Sequence, residues 1–203
     1  MNYIYRMTHI DNIPHIIQYG ITHKSSTNSN PNYKAIGDAS IISKRATEAR
    51  MTVDGVEFIP GDYIPFYFFA RMPMLYNIQH GYHVEMLSPE DIVYMIIPVE
   101  KIISDPERTY FFSDGHAMSN MTSFYGRNHI DRIDDILDKD AIRNDRWGDD
   151  YVIKERKQAE FLVKGDIPFH AVSMICCYNE TTKQKLLSMG VNCDVKVAPS
   201  AYY

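Results

Sequence analysis

The sequence lacks the features that mark several common classes of protein. Its 203 residues contain three cysteines, two of them adjacent at positions 176 and 177, which form neither a disulfide framework nor a metal site. No apolar run approaches the ~20 residues of a membrane span, and the first residues show no basic and apolar segments typical of a signal peptide. These absences predict a cytoplasmic protein with reduced thiols and no membrane segment.

Motifs for several nucleotide and hydrolase chemistries are missing as well. The chain has neither a Rossmann fingerprint nor a P-loop, so we do not expect a nicotinamide dinucleotide acting as a hydride carrier. A nucleophile elbow is absent, which disfavours a Ser-His-Asp hydrolase. The eight histidines are scattered, and His80 with His83 lacks a third ligand at a telling spacing, so no metal is predicted.

An excess of positive charge is also missing. The 21 Lys and Arg residues against 26 Asp and Glu residues give a net charge of -5. This balance argues against tight nonspecific binding of duplex nucleic acid, because such binding rests on many cation–phosphate contacts. Tyrosine, in contrast, is abundant, with 15 residues. Because stacking on aromatic rings is one way in which proteins hold unpaired bases, the composition does not exclude binding of a single-stranded nucleic acid.

The pattern of predicted elements indicates one α+β domain over residues 1–203. A chain of this length buries one core, and its strands and helices are mixed without regular βαβ alternation. Predicted strands cover 3–8, 62–69, 92–99, 110–113, 158–163, 172–178 and 191–197, with Pro65 at an edge or bulge. Predicted helices cover 13–17, 41–50, 130–137 and 181–189, the first capped by Asp11 or Asn12 and stopped by Gly20. The polar segment 24–38 is predicted to be a long loop.

The predicted strand 158–163 contains a carboxylate in an unexpected place. Alternation puts Phe161 and Val163 on the core face and Glu160 on the opposite face. A carboxylate on a half-buried strand is costly unless it has a partner or a role. Simple solvation is the ordinary explanation for such a residue, so this strand alone does not decide the function.

Four blocks of sequence give that carboxylate a context. They are Tyr5–Pro14, Gly61–Phe68 with Pro73–Tyr76, Phe111–His116 and Arg156–Val163. In these blocks and their order, the chain resembles the DarT family, which comprises bacterial toxins that resemble ADP-ribosyltransferases and modify bases in single-stranded DNA. The resemblance implies an α+β fold with an ADP-ribosyltransferase-like split β-sheet core and flanking helices. It also implies NAD+ as a consumed co-substrate, single-stranded DNA as acceptor, and a DarG-like macrodomain antitoxin as partner.

The chemistry of such an enzyme needs three kinds of side chain. Cleavage of the N-glycosidic bond of NAD+ passes through an oxocarbenium-like transition state, as glycoside hydrolysis does. The reaction requires a carboxylate beside the ribose, cationic or N–H donors at the pyrophosphate, and an aromatic or apolar slot for nicotinamide. Glu160, Arg45 and Tyr67 can supply these three groups.

Carried over residue by residue, the resemblance makes Glu160 the catalytic glutamate and Arg45 the arginine of the NAD+-binding element. Arg50 is the alternative, because this mapping crosses a change in length. Contacts with NAD+ are expected from Arg6, Met7, Thr8, His15, His23, Arg45 and Tyr67, and contacts with DNA from Arg71, Met74, His116 and Lys154. Simpler interpretations stay open: Thr8 as a strand end, Arg71 as a surface cation and His116 as a turn residue.

Two departures from the family leave the acceptor open. The chain ends in Val197–Tyr203 (VAPSAYY), where family members often have a basic residue followed by Trp-Tyr-Tyr, and Arg6 replaces a histidine of some relatives. Thymidine is the expected acceptor and guanosine its rival. Transfer to RNA, to protein or to water, or a nucleotide-binding module without turnover, are the other hypotheses.

Overall fold

An eight-stranded sheet forms the centre of the molecule. The computed structural model describes residues 1–47 and 50–203. The strands are β1 (Tyr3–His9), β2 (Met51–Val53), β3 (Val56–Phe58), β4 (Tyr63–Tyr67), β5 (Ile92–Pro98), β6 (Tyr110–Ser113), β7 (Phe124–Tyr125), β8 (Glu160–Lys164), β9 (Met174–Cys177) and β10 (Asp194–Val197). The main sheet has the order β10-β9-β5-β1-β4-β8-β6-β7, and β2 and β3 form a separate hairpin. Within the main sheet β9 and β10 pair in parallel, and the other neighbours are antiparallel.

Short helices flank this sheet. They are α1 (Ile13–Tyr19), α2 (Ala39–Thr47), α3 (Pro73–His80), α4 (Glu100–Ile103), α5 (Ile133–Ile136), α6 (Lys139–Arg143), α7 (Tyr151–Lys157) and α8 (Glu180–Ser188). Turns of 3-10 helix cover Ile10–Asn12, Pro60–Asp62, Pro89–Asp91, Arg127–Arg132, Phe169–Ala171 and Pro199–Ala201. The mixture of an interrupted sheet with flanking helices confirms the α+β prediction. Over the described ranges, no helix is long and apolar enough to cross a membrane.

The main sheet is split between β1 and β4. These strands pair only at Tyr5 opposite Tyr67, whereas β1 pairs with β5 along its whole length. Beyond that pair the guanidinium of Arg6 donates to the Pro65 carbonyl at 2.8 Å. Because the N–H and C=O of a strand residue face the same neighbour, the missing N–H of Pro65 faces the opening. Pro65 therefore lies in an interior strand, and the prediction of an edge or bulge was wrong. The split tolerates proline because no neighbouring strand requires its missing N–H, as at the edge of a sheet.

The core lies on both faces of the sheet. Phe161 and Val163 are fully buried in the main cluster, as their alternation predicts. Leu162 is also fully buried, in a smaller cluster with Phe58 and Phe111 on the opposite side. Both faces of β8 are thus covered, and Glu160 at its start is removed from water. Solvation therefore does not explain this carboxylate.

Two predicted helices differ from the structure. The helix predicted over 41–50 is α2, which begins earlier at Ala39 and is described to Thr47; positions 48 and 49 of the prediction lie outside the described residues. Arg50 is not in a helix. The helix predicted over 130–137 is a 3-10 turn followed by the single turn of α5. Its apolar spacing was read correctly, since Ile133 and Leu137 are buried.

Candidate active site

A cleft of about 400 Å³ opens beside the split in the sheet. Its walls come from β1, the loop 22–38, α2 and β4, with contributions from the start of α3 and the loop after β6. Eight of the lining residues are Arg6, Met7, His23, Tyr33, Arg45, Tyr67, Met74 and His116. The cleft thus collects predicted NAD+ contacts and predicted DNA contacts in one place.

Glu160 and Arg45 form an ion pair behind the surface of the cleft. Arg45 donates from Nη1 to Oε1 at 3.1 Å, and its Nη2 lies 2.8 Å from Oε2. The carboxylate side chain is 1% exposed and the guanidinium 11%. The second contact counts as an ion pair, because its angles fall short of those of a hydrogen bond. Arg45 lines the cleft while Glu160 does not, so the guanidinium covers the carboxylate.

Two further groups fix the position of Glu160. The backbone N–H of Ala117 donates to Oε1 at 3.2 Å, and the backbone N–H of Glu160 donates to Ser113 Oγ at 3.0 Å. Ser113 Oγ in turn donates to the Gly115 carbonyl at 2.8 Å. A carboxylate removed from water needs such donors, because an unpaired buried charge is costly. The end of β6 thus orients the start of β8.

Tyr67 is the cross-strand partner of Glu160. Burial raises the pKa of its phenol above the ordinary range, and the negative charge of Glu160 raises it further. The hydroxyl therefore stays neutral at physiological pH and keeps its proton. Since Tyr67 also lines the cleft, it presents an aromatic ring and a hydrogen-bond donor beside the carboxylate.

The loop after β6 carries His116 to the cleft. Asp114 holds this loop: it pairs with Arg156 Nη1 at 2.7 Å and accepts from the backbone N–H of Ser123 at 2.9 Å. Thr122 Oγ1 donates to the His116 carbonyl at 2.8 Å. His116 is therefore more than a turn residue, since the loop places its side chain in the lining of the cleft.

Asn12 joins the loop 22–38 to β1. Its Nδ2 donates to the Lys34 carbonyl at 2.9 Å, and its Oδ1 accepts from the Lys34 backbone N–H at 2.9 Å. Nδ2 also donates to Thr8 Oγ1 at 3.0 Å. Asn12 occupies the N-cap position of α1, where Asp11 or Asn12 was predicted, but its side chain makes no capping hydrogen bond. Thr8 is completely buried, so it contributes to this attachment rather than to the lining of the cleft.

The same attachment places Tyr33 over the predicted NAD+ contacts. Its hydroxyl lies 3.5 Å from Arg6 Nη2 and 3.5 Å from Thr8 Oγ1. Sequence reasoning missed both Tyr33 and Asn12. For Asn12 a signal existed: it is a polar residue between apolar neighbours directly after a strand, and such residues often bind backbone groups elsewhere.

His23 and Gly61 determine how closely α2 approaches β4. His23 Nε2 lies 2.9 Å from the Gly61 carbonyl, and its Nδ1 lies 2.7 Å from Ser25 Oγ. A Cβ on Gly61 would lie 2.5 Å from Ala46 Cα and 2.7 Å from the Arg45 carbonyl. Only glycine permits this approach. Gly61 therefore allows α2 to bring Arg45 to Glu160.

Besides Thr8 and the covered Glu160, four residues with predicted roles lie outside the cleft. His15 packs against Tyr19 with ring centroids 4.7 Å apart and planes tilted by 37°, so the structure does not bring it to the predicted nicotinamide site. Lys154 lies over the Trp147 ring. The Arg71 guanidinium pairs with Asp145 at 3.1 Å and covers the Tyr203 ring. Arg50, the alternative to Arg45, pairs with Glu57 at 3.7 Å on the exposed hairpin.

No metal centre is found within residues 1–47 and 50–203, since no three His, Cys, Asp or Glu side chains there are grouped to hold an ion. The chemistry that the cleft offers is instead that of a buried carboxylate, a guanidinium and aromatic rings. A carboxylate held by N–H donors can face developing positive charge, and a guanidinium can grip phosphate oxygens.

Comparison with known proteins gives matches over nearly the whole chain. The sequence family described as "ssDNA thymidine ADP-ribosyltransferase, DarT" matches residues 5–203. A DNA ADP-ribosyl transferase of Escherichia coli O127:H6 is 32% identical over 185 residues, which are 90% of this chain and 83% of the relative. A transferase–glycohydrolase fusion protein of Thermosipho africanus is 29% identical over 97% of this chain and 47% of its own length.

Solved structures agree with the sequence matches. DarT of Thermus sp. 2.9 in complex with ADP-ribosylated single-stranded DNA has a TM-score of 0.86 and 26% identity, covering 100% of this chain and 96% of that chain. The same protein in complex with carba-NAD+ has a TM-score of 0.82 and 25% identity, covering 100% of this chain and 98% of that chain. The likeness therefore includes the strands and loops that build the cleft.

Proposed function

The chain belongs to the DarT family of DNA ADP-ribosyltransferases, and we propose that it transfers ADP-ribose from NAD+ to thymidine in single-stranded DNA as the toxin of a toxin–antitoxin pair. One observation carries this proposal: Glu160, buried at the start of β8, is held by Arg45 and the Ala117 N–H at the back of a cleft beside the split sheet. Among the described residues that line the cleft, the one carboxylate is Asp38, which is partly exposed.

The proposed reaction exchanges one glycosidic bond for another. The bond between nicotinamide nitrogen and ribose C1 breaks, and nicotinamide leaves with the electron pair. A nitrogen of the acceptor base bonds to C1 and loses its proton, so that the products are the ADP-ribosylated base, nicotinamide and H+. Positive charge develops on the ribose in the transition state. Glu160 is the group in this site with the charge to stabilise it.

In this scheme Arg45 can bind either of two anions, the carboxylate of Glu160 or the pyrophosphate of NAD+. It pairs with Glu160 and lines the cleft at the same time. The pyrophosphate of NAD+ competes for its guanidinium, which binds phosphate oxygens in a bidentate fork. A shift of Arg45 from carboxylate to pyrophosphate would uncover Glu160 as the dinucleotide enters. Arg45 thus couples substrate binding to exposure of the catalytic carboxylate.

The rest of the cleft supplies places for nicotinamide and the acceptor base. Arg6, Met7 and Tyr33 lie on one side, where the nicotinamide and its ribose are expected, and Thr8 supports them from behind. Met74 and His116 lie where the acceptor base is expected. Tyr67 stands beside Glu160.

A macrodomain antitoxin of the DarG type that removes the modification is the proposed partner. The support is the Thermosipho africanus relative, whose name combines a DNA ADP-ribosyl transferase with a DNA ADP-ribosyl glycohydrolase. This chain matches 47% of the length of that relative.

The test is an incubation with labelled NAD+ and separate pools of single-stranded DNA, the same DNA annealed to its complement, RNA and protein. We expect label on the single-stranded pool and a large loss on annealing, because duplex bases are reached only after extrusion at a cost of a few kcal/mol. Mass spectrometry of homopolymeric oligonucleotides then identifies the base. Label on RNA or protein alone, or nicotinamide release without label, would overturn the proposal, and label on guanosine would overturn its base.

A further inference from the structure

An aromatic patch at the end of α3 has no role in the site described above. It consists of Tyr76, His80 and Tyr82. The rings of Tyr76 and His80 stack with centroids 4.0 Å apart, and the planes of His80 and Tyr82 differ by 12° at 5.7 Å. Tyr82 is 51% exposed, and His80 is exposed beside it. The His80 and Tyr82 side chains, whose ring planes are nearly parallel, are therefore both exposed to solvent.

The end of α3 holds these rings in place. Gly81 ends the helix in the left-handed region with φ 69°, a conformation that glycine adopts without strain. The backbone N–H of Tyr82 then donates to the Asn77 carbonyl at 2.9 Å, which turns Tyr82 back toward the helix. His80 Nδ1 lies 2.8 Å from the Tyr76 carbonyl. The patch is therefore ordered before any ligand binds, which lowers the entropy cost of binding.

Neighbouring side chains brace the patch and add positive charge. Tyr76 packs edge-on against Trp147 and Tyr203, with centroids 5.6 Å and 5.2 Å away. The Trp147 indole donates to the Tyr203 hydroxyl at 2.7 Å. Arg71 lies 4.6 Å from the Tyr203 ring centre and Lys154 lies 5.7 Å from that of Trp147. Aromatic faces with cations next to them match the bases and phosphates of an unpaired strand.

The patch is connected to the cleft by α3 itself. Met74, near the start of the helix, lines the cleft, and His80 is the last residue of the helix. At 1.5 Å and about 100° per residue the two lie about 9 Å apart along the axis and about 120° apart around it. This distance is about two to three steps of a strand stacked at ~3.4 Å per nucleotide.

We propose that Tyr76, His80 and Tyr82 bind, by stacking, bases that lie two to three nucleotides from the acceptor base in single-stranded DNA. The inference rests on the proposed function, since it takes the acceptor to lie at Met74 and His116. It adds a binding site for neighbouring nucleotides. Every base has a π-face, so stacking on this patch contributes affinity with little dependence on sequence.

The test compares acceptor oligonucleotides of two lengths. One is a trinucleotide with the acceptor base at its centre, and the other has five nucleotides on each side of that base. Tyr82→Ala should raise the KM for the long oligonucleotide roughly tenfold and leave kcat and the KM for the trinucleotide unchanged, because one stacking ring is lost. Tyr82→Trp should restore the affinity for the long oligonucleotide. Tyr3→Ala is the matched control, since Tyr3 is 47% exposed at the start of β1.

A second readout is independent of transfer. Trp147 is the single tryptophan of the chain, and it packs against Tyr76. Titration with oligothymidylate should change its fluorescence in the wild type and in Tyr3→Ala, with an apparent Kd roughly tenfold weaker in Tyr82→Ala. Thermal melting confirms that each variant is folded.

The outcomes separate this inference from the proposed function. If the wild type labels no single-stranded DNA of either length, the proposed function fails. If the wild type does label single-stranded DNA but Tyr82→Ala and His80→Ala match it in KM and in the fluorescence titration, the patch is not a binding site and the proposed function stands. Equal losses for the trinucleotide and the long oligonucleotide would also overturn the inference, because they would place the defect at the acceptor site.

Discussion

Two arginines five residues apart in the sequence, Arg45 and Arg50, each pair with a glutamate, and the surroundings of the two pairs differ. Arg45 and Glu160 lie 2.8 Å apart with side chains 11% and 1% exposed. Arg50 and Glu57 lie 3.7 Å apart with side chains 72% and 70% exposed. An exposed pair contributes about 0–1 kcal/mol, whereas loss of one partner of a buried pair costs about 3–5 kcal/mol. The same two residue types therefore give a surface contact in one place and a constrained charge in the other.

The contrast also shows what constrains each member of the buried pair. Glu160 is fixed from several sides, by Ser113, by Ala117 and by the strand pairing of β8. Arg45 lies on α2, which has no buried residue over its described length. One member of the pair is thus fixed in the sheet, while the other is on a helix that has no buried residue and whose close contact is with the backbone at Gly61. This asymmetry is what the proposed exchange of Arg45 between carboxylate and pyrophosphate requires.

Replacement of the fixed carboxylate should have the largest effect. Glu160→Gln keeps the shape and an acceptor for the Ala117 N–H, but it removes the charge that faces the oxocarbenium. Transfer should fall by ~10²-fold or more, the scale for loss of one transition-state electrostatic group. NAD+ binding, measured by calorimetry, should persist.

Glu57→Gln is the matched control for Glu160→Gln, because it makes the same change in the exposed pair. It should transfer ADP-ribose at the wild-type rate. Wild-type transfer by Glu160→Gln would remove this residue from the mechanism.

Replacement of the buried guanidinium should have the next largest effect. Arg45→Ala should lower kcat/KM for NAD+ by about 10- to 100-fold, the range for loss of a charge-assisted hydrogen bond at ~1.5–3 kcal/mol. Arg45→Lys should be intermediate, since it keeps the charge without the planar fork. Steady-state kinetics with varied NAD+ would measure both.

Arg50→Ala is the control for Arg45→Ala and should behave as the wild type. The opposite ranking, with Arg50→Ala inactive and Arg45→Ala active, would mean that the exposed arginine serves the pyrophosphate. The roles of the two pairs would then have to be exchanged.

Loosening of the loop that precedes α2 should have a smaller effect. Asn12→Ala removes both hydrogen bonds to the Lys34 backbone and the one to Thr8. The KM for NAD+ should rise about tenfold with little change in kcat, because the loop carries Tyr33 to the cleft without touching the reacting bond. Stability should fall by about 1–3 kcal/mol, since two partly buried hydrogen bonds to Lys34 and a buried one to Thr8 are lost.

Asn32→Ala is the control within the same loop. Asn32 is exposed, and within residues 1–47 and 50–203 its side chain has no hydrogen bond. An equal rise in KM for the two variants would show that general mobility of the loop, rather than the attachment at Asn12, controls NAD+ binding. A fall in kcat alone for Asn12→Ala would contradict a positioning role.

Strands and core residues with a local sequence pattern were predicted correctly. Unbroken apolar runs located β5 and β6, and alternation assigned Phe161 and Val163 to the core. The four sequence blocks led to Glu160. The structure places this residue where a charge needs several partners.

What the sequence could not give depends on contacts between distant segments. The resemblance favoured Arg45 over Arg50, but the contact of Arg45 with Glu160 depends on the close approach of α2 to Gly61, which no local pattern predicts. The position of Pro65 depends on the split beside β1. An indole does lie beside the last residue of the chain: Trp147, from a segment 56 residues away, donates to the Tyr203 hydroxyl at 2.7 Å.

The smallest effect is expected for the stability of the exposed pair. Arg50→Ala, Glu57→Gln and the double variant should each unfold within about 0.5 kcal/mol of the wild type. Because exposed charges are screened within about 10 Å at 0.1 M salt, the coupling energy from this double-mutant cycle should approach zero as salt rises. Chemical denaturation at low and high salt measures it. The cycle of Arg45→Ala with Glu160→Gln should keep its coupling at high salt, because both side chains are removed from water. Similar salt dependence in the two cycles would mean that solvent reaches Glu160 freely. Arg45 would then not shield this carboxylate from solvent, and its displacement by NAD+ could not be what exposes Glu160.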